Sequence, residues 1–229
     1  MGIKLLKFNV MKHAALTILT FALFLLISCK DEVVLDPNTY IVDKPGYLVL
    51  MINEVDRNIH TGLKIKGNID ARDIRFLKNV KNLTVLDLSD AKIHSFTGTG
   101  GTYYGVGGNP QKYNEDEFPR SAFYGFKTIK IVTLPNSIDS IAETCFAECT
   151  QLESITIGNS VIKIGSGSFS YCKKLQKITF LGSTPPIVQN IGYQVDQNNC
   201  VLDIPKGSSV KYKSATYWKD FKNIIERDH

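Results

Sequence analysis

Phe123, Phe146 and Phe169 stand 23 residues apart, and four other positions keep the same step. These are Phe126, Cys149 and Cys172; Ile129, Leu152 and Leu175; Val132, Ile155 and Ile178; and Leu134, Ile157 and Phe180. Ile141 and Ile164 follow it as well. Leu77, Val80, Leu83, Leu86 and Leu88 lie two periods before Phe123, Phe126, Ile129, Val132 and Leu134, and Leu63-Lys64-Ile65 matches Leu86-Asp87-Leu88 one period earlier again. A fixed period of this length belongs to stacked repeats, and it constrains the fold more than any other feature of the chain.

The spacing inside one unit has a physical reading. Ile155-Thr156-Ile157 puts apolar residues two apart, the pattern of a strand with one buried face. Phe146, Cys149 and Leu152 are three apart, which suits a helical or 3-10 turn on the opposite side. One unit alone cannot bury both rows. Stacking converts each row into a continuous apolar ladder, so the units are stable only as an array with parallel strands along one edge.

The run Phe146-Ala-Glu-Cys149-Thr-Gln-Leu152-Glu-Ser-Ile155-Thr-Ile157, with Leu134-Pro135-Asn-Ser-Ile138-Asp-Ser-Ile141, resembles the BspA-type leucine-rich repeat of surface lipoproteins from Bacteroides-like bacteria. The resemblance covers roughly residues 46–228 and is most specific over 119–182. It implies an α/β leucine-rich-repeat solenoid with 23-residue repeats, parallel strands on one edge, short helical or 3-10 turns opposite, and caps at both ends. Cys145 and Ser168 stand where the pattern has Ala, and Ala142 stands where Gly165 fits the usual Ile-Gly. A glycine there would supply a special backbone angle, leaving the turn at Ala142 less well specified.

The expected organisation is a signal segment over 1–28, a tether over 29–45 and a repeat domain over 46–229. Within the domain, 46–96 holds the N-terminal cap and first repeats, 97–118 an irregular coil, 119–182 the regular repeats and 183–229 the C-terminal cap. Leu48, Ile52 and Val55 would share one face of a helix over about 46–57. Trp218, Phe221, Ile224 and Ile225 recur at helical spacing and would seal the last coil. The irregular coil has six glycines between Gly98 and Gly108 and cannot sustain a buried strand. Tyr103, Tyr104 and Tyr113 beside those glycines have the composition of an adaptable binding loop. A linker between two repeat blocks fits the same composition.

Residues 14–27 are an uncharged apolar run, shorter than the ~20 residues a spanning helix needs. With Lys12 before it and Ser28 after it, this is the layout of a cleaved signal peptide. Met11-Lys-His also reads as a signal start, so Met1 and Met11 are both open as the first residue. Leu26-Ile27-Ser28-Cys29 resembles a lipobox, in which the cysteine thiol is diacylated and heads the mature chain. Lys30-Asp31-Glu32 resembles the short tag that sends such lipoproteins to the cell surface. The expectation is an outer-membrane protein, anchored by lipid alone and exposed at the surface.

Removing 1–28 takes away Lys4, Lys7 and Lys12 and leaves 24 basic against 22 acidic side chains, a net charge of +2. No Lys/Arg-rich run marks a phosphate-binding stripe, which argues against nucleic acid. Cys149 and Cys172 occupy the ladder position that Phe126 fills, so buried reduced thiols fit them better than disulfides. The mature chain has no C-x-x-C pair, and His60, His94 and His229 fall in no nucleophile or zinc motif. No enzyme, cofactor or metal is expected. The reading is a protein-interaction or adhesion module whose partner is a host or envelope protein. A glycan-binding or nutrient-acquisition accessory and a structural envelope protein stand as alternatives. The outward strand row, Lys64, Asp87, Thr133, Thr156 and Thr179, is the second candidate surface beside the Gly/Tyr coil.

Overall fold

The computed structural model describes residues 38–103, 108–188, 190–192 and 194–228. The signal segment, Cys29, the Lys30-Asp31-Glu32 tag, Tyr104 and His229 lie outside the described residues.

The chain is a capped parallel solenoid. Its main sheet runs through β1 (Thr39–Val42), β2 (Gly62–Ile69), β3 (Val85–Asp87), β8 (Ile131–Thr133), β10 (Ser154–Ile157), β12 (Lys177–Phe180), β14 (Val201–Pro205) and β15 (Asn223–Arg227), with neighbours parallel. In between come β4 (Ala91–Ile93), β5 (Phe96–Gly98), β6 (Gln111–Tyr113) and β7 (Glu117–Phe118), then β9 (Ser140–Ile141), β11 (Lys163–Ile164) and β13 (Ile187–Val188). Register follows the period: Leu63 pairs with Leu86, Leu86 with Val132, Val132 with Ile155, Ile155 with Ile178, and Ile178 with Leu202. All six are buried, so the ladder expected from the sequence is the core.

A second ladder is built from rings. Phe118 stacks on Phe146 at 5.6 Å between centroids, and Phe146 on Phe169 at 5.6 Å, with interplanar angles of 6° and 8°. The turns that carry these rings close with three-residue bonds such as Cys149 N–H to the Phe146 carbonyl and Cys172 N–H to the Phe169 carbonyl. They do not propagate into helices. Left-handed residues precede them at Ser121, Thr144 and Gly167 and interrupt them at Gly125, Glu148 and Tyr171, each series in step with the repeat, and Gln194 continues the second. The non-glycine members each cost roughly 1 kcal/mol of backbone strain, which the stacked coil overrides.

A small sheet on the flank of the coils, in the order β13-β11-β9-β7, has no counterpart among the sequence expectations. Phe118, Ile141, Ile164 and Val188 point inward from it. Here Gly165 does something other than supply a special angle. Its φ is ordinary, but a Cβ on it would lie 2.6 Å from the Ala142 carbonyl carbon and the Glu143 nitrogen. Close backbone approach requires the glycine.

Four expectations change. The sheet begins at Thr39, inside the expected tether, because β1 adds to the open edge of β2 and His60 holds Tyr40 Oη at 2.9 Å and Asn38 Oδ1 at 3.0 Å. The helix over 46–57 is two short helices, α1 (Leu48–Met51) and α2 (Glu54–Ile59). Asn53 caps α2 by accepting from the Val55 and Asp56 amides, which breaks the run and leaves Val55 exposed. Ile224 and Ile225 lie on β15, because backbone pairing with β14 wins over the helical spacing. The glycine-rich coil, last, contains an antiparallel hairpin of β5 and β6, and β3 pairs directly with β8 across the inserted residues.

Both ends are covered. At the first, the α3 helix (Ala71–Leu77) places Asp73, which is buried and accepts from the amides of Gly46 at 2.6 Å, Leu48 at 2.9 Å and Asp70 at 3.0 Å. Burial raises the Asp73 pKa, opposed by those three bonds. At the second, α4 (Ser209–Ser214) supplies Tyr212, and a 3-10 turn over Trp218–Asp220 supplies Trp218. Both rings are fully buried against Phe180.

Candidate interaction surface

The five outward strand residues are brought into one row. Lys64 pairs in register with Asp87, Asp87 with Thr133, Thr133 with Thr156, and Thr156 with Thr179. The row continues to Asp203. That residue could not be placed from the sequence, because its step from Thr179 is 24 rather than 23. Both ends of the row are charged. Lys64 Nζ reaches Asp87 at 2.9 Å and Asp90 at 3.0 Å, and Lys177 Nζ reaches the buried Asp203 at 2.6 Å. The threonines between are half-buried and flanked by exposed Val85 and Ile131. None of the row's own side chains is aromatic, and its charges form ion pairs with one another and with flanking side chains.

That internal pairing makes a testable pH response. Burial pushes the Asp87 carboxyl up, but hydrogen bonds from Ser89 and Lys64 outweigh it and leave the pKa lowered. Hydrogen bonds from Lys64 and Lys66 hold Asp90 below the usual range, and the same pairs raise Lys64. Carboxylates with depressed folded pKa values contribute stability above their unfolded value and lose it as pH falls through the folded one. The loss therefore starts from about pH 5 downward and completes below the unfolded aspartate value of about 4. Lys64→Met is expected to flatten this acid limb in a plot of Tm against pH, with Asp73 cancelling in the comparison. Parallel curves for the two proteins would contradict it.

The Gly/Tyr coil is more structured than its composition implies. Tyr113 is buried, stacks on Phe96 at 6.0 Å, and its hydroxyl accepts from the Tyr103 amide at 2.9 Å and donates to the Tyr103 carbonyl at 3.0 Å. It is a fastener of the hairpin, not an exposed contact, because the neighbouring glycines pack beneath it: a Cβ on Gly101 would meet its ring at 2.3 Å. Arg72 covers the other side of the hairpin, with its guanidinium 4.6 Å from the Phe96 ring centre.

Tyr103 is half-buried and is presented beside residues that the sequence does not connect with it. The Arg120 guanidinium lies 4.6 Å from its ring centre, a cation–π distance. Thr102 Oγ1 donates to the Arg120 carbonyl at 2.7 Å. Together with Lys78, Ser121, Tyr124 and Thr144 they line an open groove of about 450 Å³. Lys78 Nζ donates to the Tyr124 carbonyl at 2.9 Å, and burial pushes its pKa down. Tyr124 Oη donates to Glu148 at 2.6 Å, and Arg120 pairs with Glu143 at 3.3 Å. A second groove of about 530 Å³, walled by the flanking sheet, also has Arg120 on its rim.

Among the described residues, the histidines and cysteines are held in structural contacts. His60 is tied to Tyr40 and Asn38, and His94 Nε2 to Asn68 at 2.8 Å. The thiols of Cys145, Cys149, Cys172 and Cys200 are free and buried, and burial pushes all four pKa values up, to about 12 for Cys149 and Cys200. Cys145, Cys149 and Cys172 donate to backbone carbonyls of the preceding coil. Among the described residues, no three His, Cys, Asp or Glu side chains gather as metal ligands.

Residues 114–221 match the family model described as the BspA type leucine rich repeat region, in six copies. That stretch is similar to the BspA-type leucine-rich repeat. The match covers just under half of the chain and ends at Phe221, within the far cap. No curated protein matches the chain. Arg120, Ser121, Tyr124 and Thr144 belong to the BspA-type region, whereas Lys78, Thr102 and Tyr103 precede it. The groove thus straddles the start of the matched repeats, where the inserted hairpin meets the regular coils.

Proposed function

We propose that this protein is a non-catalytic surface lipoprotein that binds a partner protein through the groove around Arg120. BspA-type leucine-rich-repeat regions are generally protein-interaction or adhesion modules and are generally not enzymes. The observation that carries the reading is the cluster of Arg120, Tyr103 and Tyr124 on a rigid frame. Arginine and tyrosine dominate binding energy at interfaces because each joins a large contact area to a directional polar group. The threonine row offers a milder surface with its end charges already paired. The lipid anchor at Cys29, the outer-membrane location and outward exposure are part of the same proposal, supported by the signal layout and lipobox-like run.

The test is binding of the acylated protein and its Arg120→Ala variant to panels of host-matrix and envelope proteins and of glycans. A protein ligand that weakens about 30-fold on losing Arg120 is expected, which corresponds to roughly 2 kcal/mol at an interface hot spot. A ligand whose affinity ignores Arg120 would move the site elsewhere, and binding confined to the glycan panel would replace the protein-partner reading. Protease shaving of intact cells tests exposure; protection until lysis would place the chain in the periplasm.

A further inference from the structure

The N-terminal cap concentrates exposed apolar side chains in one short stretch of the solenoid. Of the fourteen large hydrophobic side chains exposed among the described residues, six fall between Tyr47 and Ile59: Tyr47, Val49, Leu50, Met51, Val55 and Ile59. Leu50 is 75% exposed, Val55 68% and Ile59 64%. Single exposed hydrophobics need no explanation, but such a concentration marks a surface that something covers.

This segment is firmly mounted. Leu48 and Ile52 are buried beneath it, and Asp73 grips the Gly46 and Leu48 amides. Val55 and Ile59 are one helical turn apart and share a face of α2. Charge on the stretch is mixed: Glu54 and Asp56 stand against Arg57, with Lys44 lying 5.9 Å from the Tyr47 ring centre. An occupant is therefore recognised by apolar contact more than by charge.

The chain before the cap narrows the choice of occupant. Asn38, the first described residue, comes nine residues after Cys29, and that length reaches at most ~30 Å. An acyl group on Cys29 would hold this end of the solenoid within that distance of the bilayer. The geometry points to the N-terminal cap as a membrane-docking surface, with α1 and α2 resting their apolar side chains in the lipid interface. This rests on the lipoprotein reading above. A short helix pair presenting exposed apolar side chains, with a tyrosine at its edge, fits the boundary between headgroups and acyl chains, where interfacial helices insert by about 5–10 Å. Docking would also fix which way the solenoid points.

The test uses the full acylated protein in vesicles of phosphatidylethanolamine and phosphatidylglycerol. A bimane probe is placed on Leu50→Cys, and in a second protein on Val210→Cys, an equally exposed site (78%) in the far cap. The four buried thiols leave the introduced cysteine as the reactive one, so one label per molecule also reports folding. Brominated lipids are expected to remove most of the emission at position 50 and none at 210, and the loss should persist in high salt. Mass spectrometry of the N-terminal peptide reads acylation separately. Acylated protein with an unquenched probe at 50 overturns docking and leaves the lipoprotein reading intact. Loss of quenching in high salt overturns the apolar mode. Crosslinking between two copies through position 50, with no lipid quenching, assigns the patch to a second copy. Absence of the acyl group removes both readings.

Discussion

Phe146→Ala lowers the unfolding free energy by roughly 3–5 kcal/mol, the range for truncating a fully buried phenylalanine. Phe146 is the middle ring of the spine, stacked between Phe118 and Phe169 and in contact with Phe123 at 5.7 Å. Removing it opens a void that the coils cannot collapse into. Their spacing is fixed by backbone bonds on both sides, from the Phe123 amide to the Cys145 carbonyl and from the Phe146 amide to the Ser168 carbonyl. Phe146→Leu is expected to cost less than half as much. Urea unfolding followed by Trp218 fluorescence measures both. A loss below about 1 kcal/mol for the alanine variant would show that the ring spine is not the main support.

Trp218→Ala is the second large effect, again roughly 3–5 kcal/mol from lost packing. Trp218 lies 5.0 Å from Phe180 and 5.9 Å from Phe221, and its indole N–H donates to the Pro186 carbonyl at 2.7 Å. Truncation leaves that carbonyl without its donor, adding about 1–3 kcal/mol where water cannot replace it. The form of unfolding should change too. A solenoid whose terminal apolar layer is uncovered frays from that end, because each coil is held only by its neighbours. Hydrogen exchange should therefore show protection lost first in β15 and β14, with the coils around Phe123 unaffected. Uniform loss along the chain would mean that Trp218 supports the whole array and not its end.

Much of this architecture is legible because one chemical pattern repeats. The spacing of Ile155 and Ile178 alone puts them in one ladder, since equal steps along the chain become equal heights in a stack. The same logic places Lys64, Asp87, Thr133, Thr156 and Thr179 in one row. It fails where the step breaks, at Asp203, and where local and tertiary preferences compete. Ile224 and Ile225 have helical spacing but extend because β14 offers an unpaired edge. The left-handed turn residues stay hidden because Ser121, Thr144, Glu148 and Tyr171 do not advertise that conformation as glycine does.

The groove around Arg120 is not legible, although the composition of the inserted coil points to its neighbourhood. Tyr113 and Tyr103 share a loop and a composition, yet one is buried as a fastener and the other forms the groove wall. Composition cannot separate them, since burial depends on what packs against the hairpin.

The sequence by itself determined the repeat, its inward ladders and the signal-like layout of the N-terminal segment, because period, hydropathy and the order of charged and apolar segments are properties of the chain. Only the tertiary structure decided that the inserted residues fold as a hairpin outside the main sheet, and that Arg120, Lys78 and Tyr124 meet Tyr103. Arg120 and Tyr103 join the repeat to an insertion that has no period, whereas Lys78 and Tyr124 stand 46 positions, two periods, apart in coils that pair directly. No periodicity encodes the meeting of Arg120 with Tyr103. It follows from where the stacked coils leave space for the insertion to pack.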